Sequence, residues 1–324
     1  MNILVTGSSG WLGQTLVPRL KRAGHTVIGL DPVAGPHTGI VGTVADRDTV
    51  RKAIRQHRIQ GIVHAGALHK PHVATHDPSA FIATNVQGTL NLLQEATAPG
   101  STVDRFVFTS TTSLMISEAV RAGRAGGASR AFWIDEEFGP LEPRNIYGAS
   151  KLAAEQLCRL HGRDRGLPLI ILRTGRFFPE EDDTHRDRTG PNTKANEFLN
   201  RRLTVEDAAE AHLAALAKAP EIGFGTYVVA APSPFVRADA EALVEDAPAV
   251  IGRYFPEAAA LYARAGWTLP RHIDRVYDSG LAESELGFRC RTGFAEVLAA
   301  LASGGQLPFA HDPSYVSPKE SAPC

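Results

Sequence analysis

The sequence predicts an α/β fold, a doubly wound parallel sheet with a smaller carboxyl-terminal lobe. Three observations predict it. Short apolar runs alternate with stretches of helical spacing up to about residue 175. The first such unit encloses a glycine-punctuated turn. Beyond Arg173 the alternation gives way to polar sequence and scattered helical segments. Strands alternating with helices imply parallel neighbours joined by crossovers.

The opening unit organises the rest. Asn2 to Thr6 is a short apolar run without helical spacing, and Gly7-Ser8-Ser9-Gly10-Trp11-Leu12-Gly13 follows it. Leu12, Leu16, Val17 and Leu20 then recur at helical intervals until Gly24, and a second apolar run, Val27 to Leu30, ends at Asp31. This is strand, turn, helix, strand, acid. Gly7 permits a turn that a Cβ would block, Gly10 lets the main chain approach a diphosphate, and Gly13 lets the helix pack close to the sheet. The helix N-terminus offers free N–H groups to phosphates. Gly7, Gly10, Trp11 and Leu12 are therefore candidate dinucleotide contacts. Asp31 accepts hydrogen bonds from ribose hydroxyls and repels a 2′-phosphate, which selects NAD over NADP. A glycine pattern alone also fits an ordinary tight turn. Its place between strand and helix, with an acid ending the next strand, makes it a cofactor site.

The remaining elements follow in order. Pro32 to Gly39 is a loop, and Ile40 to Val44 a third strand ending at Ala45-Asp46. Val50, Ala53 and Ile54 mark a helix, and Gly61 to His64 a fourth strand running into Ala65-Gly66-Ala67-Leu68. His69 to Asp77 is polar and loop-like. Asp77-Pro78 starts a long helix, with Phe81, Val86, Leu90 and Leu93 in its stripe, that Pro99-Gly100 ends. Arg105 to Thr109 is a fifth strand, Arg121 to Arg130 a Gly/Arg/Ser-rich loop, about Ile146 to Arg163 a second long helix, and Leu169 to Leu172 a sixth strand. Pro179 to Asn196 has charges of both signs and no periodicity, and reads as a loop or lid. Leu203 to Leu216 is helical, Tyr227 to Ala230 is one more strand, and Ala238 to Val244 and Phe294 to Leu301 are further helices. The expected domains are residues 1–175 for the dinucleotide, with 204–230 packed on them, a substrate lobe over 176–310, and a flexible tail over 311–324.

Composition narrows the function. The 324 residues are 43% apolar with a net charge of −1, which gives no bulk attraction to nucleic acid or anionic membrane. Cys158, Cys290 and Cys324 lack metal-like spacing and cannot all pair. A strand starting at residue 2 and the lack of any apolar run near about 18 residues predict a cytoplasmic protein without leader or membrane span.

Tyr147-Gly148-Ala149-Ser150-Lys151 is the second strong signal. Residues four apart share one helix face. A lysine ammonium near a phenol favours phenolate and lowers the tyrosine pKa, which suits proton exchange with a hydroxyl or carbonyl. The pair also fits an ordinary surface contact, but Thr109-Ser110-Thr111-Thr112-Ser113 places hydroxyls at the carboxyl end of the fifth strand, the edge that faces ligand in open parallel sheets. His64, His69, His72 and His76 invite a metal reading, but no helical pair with a Glu supports it, and no metal is expected.

These residues resemble the extended short-chain dehydrogenase/reductases, the NAD-dependent epimerase/dehydratase group with its Rossmann-like fold. The resemblance rests on TGSSGWLG at Thr6 to Gly13, Asp31, HAGAL at His64 to Leu68, NVQGTLNLL at Asn85 to Leu93, FTSTT at Phe108 to Thr112 and PRNIYGASK at Pro143 to Lys151. It covers about the first 175 residues and continues more weakly through RRLTVEDAAEAHL at Arg201 to Leu213. It implies Tyr147 as acid/base, Lys151 as its support and a nicotinamide-ribose ligand, and Thr111 as the hydroxyl that positions substrate. It further implies that Asn85 orders the site, that Asp46 contacts adenine, that Ala65, Gly66 and Ala67 line the cofactor, and that His69 lies near the nicotinamide. Thr112 and Ser113 stand where dehydratases carry Asp-Glu, which argues against dehydration. Arg176 stands where sugar-nucleotide enzymes show asparagine.

Arg176 fits either a carboxylate or phosphate ligand or a structural ion pair. Phe177-Phe178 fits either a wall beside a substrate ring or core. With Thr112 and His69, Arg176 and Phe177 are the substrate candidates. Arg121, Arg124 and Arg130 fit a lid over an anionic substrate or a solvated insertion. The leading function is an NAD-retaining epimerase on a hydroxyl of a sugar or sugar-nucleotide-like molecule. The rival is a net dehydrogenase or reductase of a smaller, anionic substrate, and a third possibility is a dinucleotide-sensing regulator without catalysis. A homodimer is the family expectation, with Ala153, Ala154 and Leu157 offering a small-residue face.

Overall fold

A computed structural model of the chain describes residues 1–181 and 188–318. Nine strands are present among them: β1 (Asn2–Thr6), β2 (Thr26–Asp31), β3 (Ile40–Val41), β4 (Gly61–His64), β5 (Arg105–Thr111), β6 (Phe132–Ile134), β7 (Leu169–Thr174), β8 (Phe224–Val229) and β9 (Arg275–Tyr277). Seven form one sheet in the order β3-β2-β1-β4-β5-β7-β8, every neighbour parallel. β6 and β9 form a separate parallel pair. The helices are α1 (Trp11–Arg22), α2 (Arg47–Gln56), α3 (Pro78–Phe81), α4 (Gly88–Ala96), α5 (Glu118–Ala122), α6 (Ile146–Arg165), α7 (Gly190–Glu197), α8 (Val205–Ile222), α9 (Ala240–Glu245), α10 (Ala247–Tyr254), α11 (Ala258–Arg264), α12 (Gly280–Leu286) and α13 (Phe294–Ser303). None of the helices among the described residues is long and apolar enough to cross a membrane.

The central strands are apolar on both faces because helices cover both. Ile3, Val5, Val63, Val107 and Ile170 pack with α1 and α8, while Leu4, Ile62, Phe106, Phe108 and Ile171 pack with α2, α4 and α6. A separate cluster built from Phe198, Leu243, Ile251, Tyr262 and Phe294 forms the core of the smaller lobe. Residues 204–230 supply α8 and β8 to the main sheet and its cover.

Several elements differ from the sequence reading. The third strand is only Ile40–Val41, since Thr43 to Asp46 turn to cap α2. The helix after Pro78 is interrupted by a π segment, Ile82–Gln87. Its wider turn brings Asn85 inward to bond Leu68. Residues 121–130 are mostly solvent-exposed, with Arg121 on the wall of the cleft between the sheet edge and the smaller lobe, but the segment is anchored. Arg124 donates to the Val244 carbonyl at 2.8 Å and its amide to Asp274 at 3.2 Å, pinning the segment to the smaller lobe. Residues 190–197 form α7, capped by Thr189 and with Pro191 in its first turn. Helical periodicity fails to show there because the buried side chains, among them Asn192, Thr193, Lys194 and Glu197, are polar. The short elements β6, β9, α10, α11 and α12 carried too little pattern to read. Residues 182–187 of the expected lid, and 319–324 of the expected tail, lie outside the described residues. The described part of that tail is docked: the Asp312 amide donates to the Pro179 carbonyl at 2.9 Å, and Tyr315 meets Trp11 edge-on at 5.4 Å. Ala154 of the proposed dimer face is fully buried in the chain's own core.

One buried ion pair joins three elements of the main sheet. Arg173 on β7 reaches Glu155 on α6 at 2.8 Å, with side-chain exposures of 2% and 0%. The Ser110 hydroxyl on β5 donates to the same carboxylate at 2.6 Å. Removing one partner leaves the other charge buried, so Arg173→Met is expected to cost about 3–5 kcal/mol. The double variant Arg173→Met/Glu155→Gln is expected to recover a large part of that loss. Urea unfolding midpoints of the three proteins check this; equal midpoints for wild type and the single variant would contradict it.

Candidate active site

The turn after β1 behaves as its residues dictate. Gly7 has φ +75°, and a Cβ there would lie 2.7 Å from the Gly66 amide nitrogen. A Cβ on Gly13 would lie 2.1 Å from the Gly7 carbonyl oxygen, so α1 packs on the turn only because it is bare there. Gly10 is the N-cap of α1 and supplies no side-chain cap. The first-turn amides thus lack a side-chain acceptor, as an anion-binding helix end requires. Asp31, buried at the end of β2, accepts from the amides of Ser9 (3.2 Å) and Val33 (2.9 Å), which fix its carboxylate beside the turn.

These groups open into a cleft of about 870 Å³ between the sheet edge and the smaller lobe. Gly7, Gly10, Trp11, Leu12, Asp31, Ala65, Gly66 and Ala67 line one end. Thr111, Thr112, Tyr147, Lys151, His69, Arg176 and Phe177 line the rest. Asp46 and Asn85 are not on its wall. Asp46 caps α2, accepting from the Asp48 amide (3.0 Å) and the Thr49 hydroxyl (2.6 Å). Asn85 acts through others: it accepts from the Leu68 amide (2.8 Å) and donates to the Leu68 carbonyl and the Ser150 hydroxyl (both 2.9 Å). It thereby ties the loop after β4 to the first turns of α6.

His64 serves this scaffold. Thr89 donates its hydroxyl proton to the Asn85 carbonyl at 2.6 Å, so it accepts from His64 Nε2 at 3.0 Å. His64 Nδ1 then accepts from the Thr6 hydroxyl (2.7 Å), which accepts from the Gly66 amide (3.0 Å). The relay links β1, β4 and the π segment behind the cofactor end.

Tyr147 enters from the first turn of α6, whose N-cap Asn145 accepts from the Gly148 amide at 3.0 Å. Its phenol and the Thr111 hydroxyl line the same cleft. Thr111 Oγ1 accepts from the Ser113 amide at 3.1 Å, so its own proton is left to point at Tyr147 or at a ligand oxygen. Lys151 stands one turn on, buried, with its ammonium 3.8 Å from the Phe108 ring centroid. The expectation that lysine lowers the tyrosine pKa is not met here. Burial pushes the Tyr147 phenol up to about 12, opposed by the Thr111 hydroxyl. Loss of hydration around the phenolate is the dominant cause of the shift.

Other side chains complete the wall. The His69 and Phe178 rings stack at 4.7 Å and 3°, and Phe178 stacks on Phe177 at 4.7 Å. Phe177 is both core and cleft wall, 7% exposed among Leu12 and Leu203. Thr112 donates to the Thr174 carbonyl at 3.3 Å. Arg176 lies 3.6 Å from Glu197. Sequence reasoning missed Arg201, Arg275 and Tyr277, and also Tyr315 and Ser317 of the tail, all on the cleft wall. The Ser317 hydroxyl lies 3.3 Å from His69 Nε2 and 3.1 Å from His72 Nε2. Nothing in the local sequence around 315–317 signals that role, since only the folded chain brings it to residue 69.

The model of the NAD dependent epimerase/dehydratase family matches residues 3–230. The UDP-glucose 4-epimerase of Rhizobium meliloti is 31% identical over 179 residues, covering 53% of this chain and 50% of that protein. The chain spans about half the length of the first curated relatives it matches. Among solved structures, a short-chain dehydrogenase/reductase superfamily protein from Agrobacterium tumefaciens with bound NAD matches at TM-score 0.65 and 24% identity, over 94% of this chain and 96% of that one. A Thermus thermophilus UDP-glucose 4-epimerase complexed with NAD matches at 0.62 and 23%, over 94% and 98%. At these identities the structural likenesses establish the fold.

The raised pKa sets a pH test. A phenol whose folded pKa exceeds its unfolded value of about 10 favours the folded state below pH 10, and that contribution is lost as pH rises toward 12. The wild-type minus Tyr147→Phe difference in tyrosinate absorbance at pH 10.5 should be only a few per cent of one tyrosine. A full tyrosinate signal at that pH would refute the burial argument.

Proposed function

The chain belongs to the NAD-dependent epimerase/dehydratase family, and from that footing we propose an epimerase-type oxidoreductase acting on a hydroxyl of a sugar or sugar-nucleotide-like substrate. One observation carries the proposal: Thr111 and Tyr147 stand in the same cleft as the glycine turn and Asp31, with Lys151 one turn on.

NAD is the cofactor, and when bound it supplies the hydride acceptor. The uncapped start of α1 at Gly10, Trp11 and Leu12 suits its diphosphate, and Asp31 a ribose diol. Lys151 suits the second ribose. On the substrate side, Thr111 and Tyr147 grip one oxygen. Tyr147 takes the hydroxyl proton as the carbon loses hydride, and gives it back as hydride returns to the opposite face. A phenol protonated at neutral pH is ready for the second half. The first half requires the proton to leave the phenol as the site fills, and the Lys151 ammonium favours that step. The proposal includes a homodimer, for which the exposed Ile82 and Leu160 offer apolar contact.

The rival, a net dehydrogenase of a smaller anionic substrate, is favoured by the arginines that line the same cleft as Tyr147. The two separate on cofactor balance. An epimerase interconverts substrate and product without accumulating NADH, whereas a dehydrogenase forms NADH in step with product. Tyr147→Phe is expected to lower either rate by about 10²–10⁴-fold with little change in NAD affinity. Full activity in that variant would remove the catalytic assignment of Tyr147, whereas NAD binding without turnover of any hydroxyl substrate by the wild type would leave a dinucleotide-binding regulator.

A further inference from the structure

Residues 311–318 contain no helix or strand, yet they carry the chain from the smaller lobe back to the dinucleotide end of the cleft. The run leaves from a fixed point. Phe309 is 9% exposed in the core of the smaller lobe and stacks on Phe198 at 5.4 Å. The chain then turns on Asp312. Its carboxylate accepts from the Ser314 amide at 2.9 Å and the Ser314 hydroxyl at 2.6 Å, and its carbonyl accepts from the Tyr315 amide at 3.1 Å. The bond from the Asp312 amide to Pro179 fixes where that turn sits.

Past the turn the segment reaches two walls of the main domain. Tyr315 meets Trp11, the first residue of α1, whose amides suit a diphosphate. Ser317, itself 9% exposed, lies within hydrogen-bond reach of His69 and His72 in the loop after β4. That loop follows Ala65, Gly66 and Ala67, which line the same end of the cleft. The segment also has two sides. Tyr315, Ser317 and Pro318 line the cleft, while Asp312, Pro313, Ser314 and Val316 are exposed. It therefore stands between the dinucleotide end of the cleft and solvent.

Its attachment is polar and local. None of residues 311–318 belongs to an apolar core among the described residues, whereas Phe309 does. A segment held by a ring contact and a few hydrogen bonds opens without disturbing the cores on either side. Phe309 marks the hinge end, and Tyr315 and Ser317 mark the end that lets go.

We infer that residues 311–318 form a strap over the dinucleotide site, latched by Tyr315 on Trp11 and by Ser317 on the loop after β4, and that it lifts for NAD to enter or leave. Tyr315 and Ser317 thereby act as cofactor-retaining residues far from the glycine turn in sequence. The inference rests on a dinucleotide seated at Gly7 to Gly13 and not on which reaction follows. Slow exchange suits an enzyme that returns its hydride to the same substrate, since a net dehydrogenase releases NADH at every turnover.

The test uses the full chain loaded with NADH, chased with excess NAD while the fluorescence of bound NADH is followed by stopped flow. Because release passes through the lifted strap, Tyr315→Ala and Ser317→Ala should each speed it by about three- to tenfold. Tyr315→Phe keeps the ring on Trp11 and should stay nearer wild type. Val316→Ala, on the solvent side, should leave the rate unchanged. Hydrogen exchange supplies a second reading: NAD should slow exchange of the Asp312 and Tyr315 amides in wild type and do so less in the two alanine variants. Wild-type release from both alanine variants, an equal acceleration by Val316→Ala, or exchange of those amides indifferent to NAD would overturn the strap. A chain that binds no NADH at all would instead remove the dinucleotide site on which the strap rests.

Discussion

The site depends on a link it does not contain. Arg173, Glu155 and Ser110 form a buried knot in which each member adjoins a site residue. Ser110 precedes Thr111 on β5, Arg173 precedes Thr174 on β7, and Glu155 lies one turn after Lys151 and two after Tyr147 on α6. A helix can slide along a sheet on apolar contacts alone, because such contacts are non-directional. A bidentate guanidinium–carboxylate pair in an apolar core has one acceptable geometry. Its value is less in stability, since burial of two charges costs much of what their attraction returns, than in fixing the height of α6. Asn85 repeats the device five residues earlier on α6 by joining Ser150 to Leu68. Lys151 thus lies between two polar anchors, and Tyr147 stands just ahead of both.

What was legible in the sequence was local. The turn from Gly7 to Gly13, the acid at Asp31 and the Tyr147–Lys151 spacing are patterns within a few residues, and each sits where it was expected. The parallel, doubly wound sheet followed from alternation, while its strand order is read only from the folded chain. What was not legible is set by contacts distant in sequence. Residues 121–130 look mobile by composition, yet Asp274, about 150 positions on, fixes them; a Cβ on Gly123 would lie 2.2 Å from its Cγ. Asn200 and Arg275 are 75 residues apart. The tail looks free because it is polar and proline-bearing, and only the folded chain shows Tyr315 against Trp11.

The Tyr147 case shows how a correct local rule gives a wrong sign. The lysine was placed correctly, and an adjacent positive charge does favour phenolate. The competing effect, loss of hydration around the phenol, has no signature in five residues of sequence. It depends on how tightly the strand ends and the smaller lobe close over the first turn of α6. The direction of the shift is a property of the cleft.

The two poles of the cleft are built by different parts of the chain, yet one backbone ladder runs through both. β7 carries Thr174, continues to Arg176, and pairs there with Arg202 in an isolated parallel bridge. Asn200 passes the connection to β9, which pairs with β6. The pole with Thr111 and Tyr147 hangs on β5 and α6, inside the main core. The cationic pole hangs on α7, the segment after it and β9, whose support is the separate core around Phe198 and Leu243. Changes in the smaller lobe can therefore reshape the arginine wall through a few hydrogen bonds while leaving the knot at Glu155 intact. That separation explains why the Tyr147–Lys151 spacing was readable within one stretch of sequence while the arginine wall, assembled from segments far apart in the chain, was not.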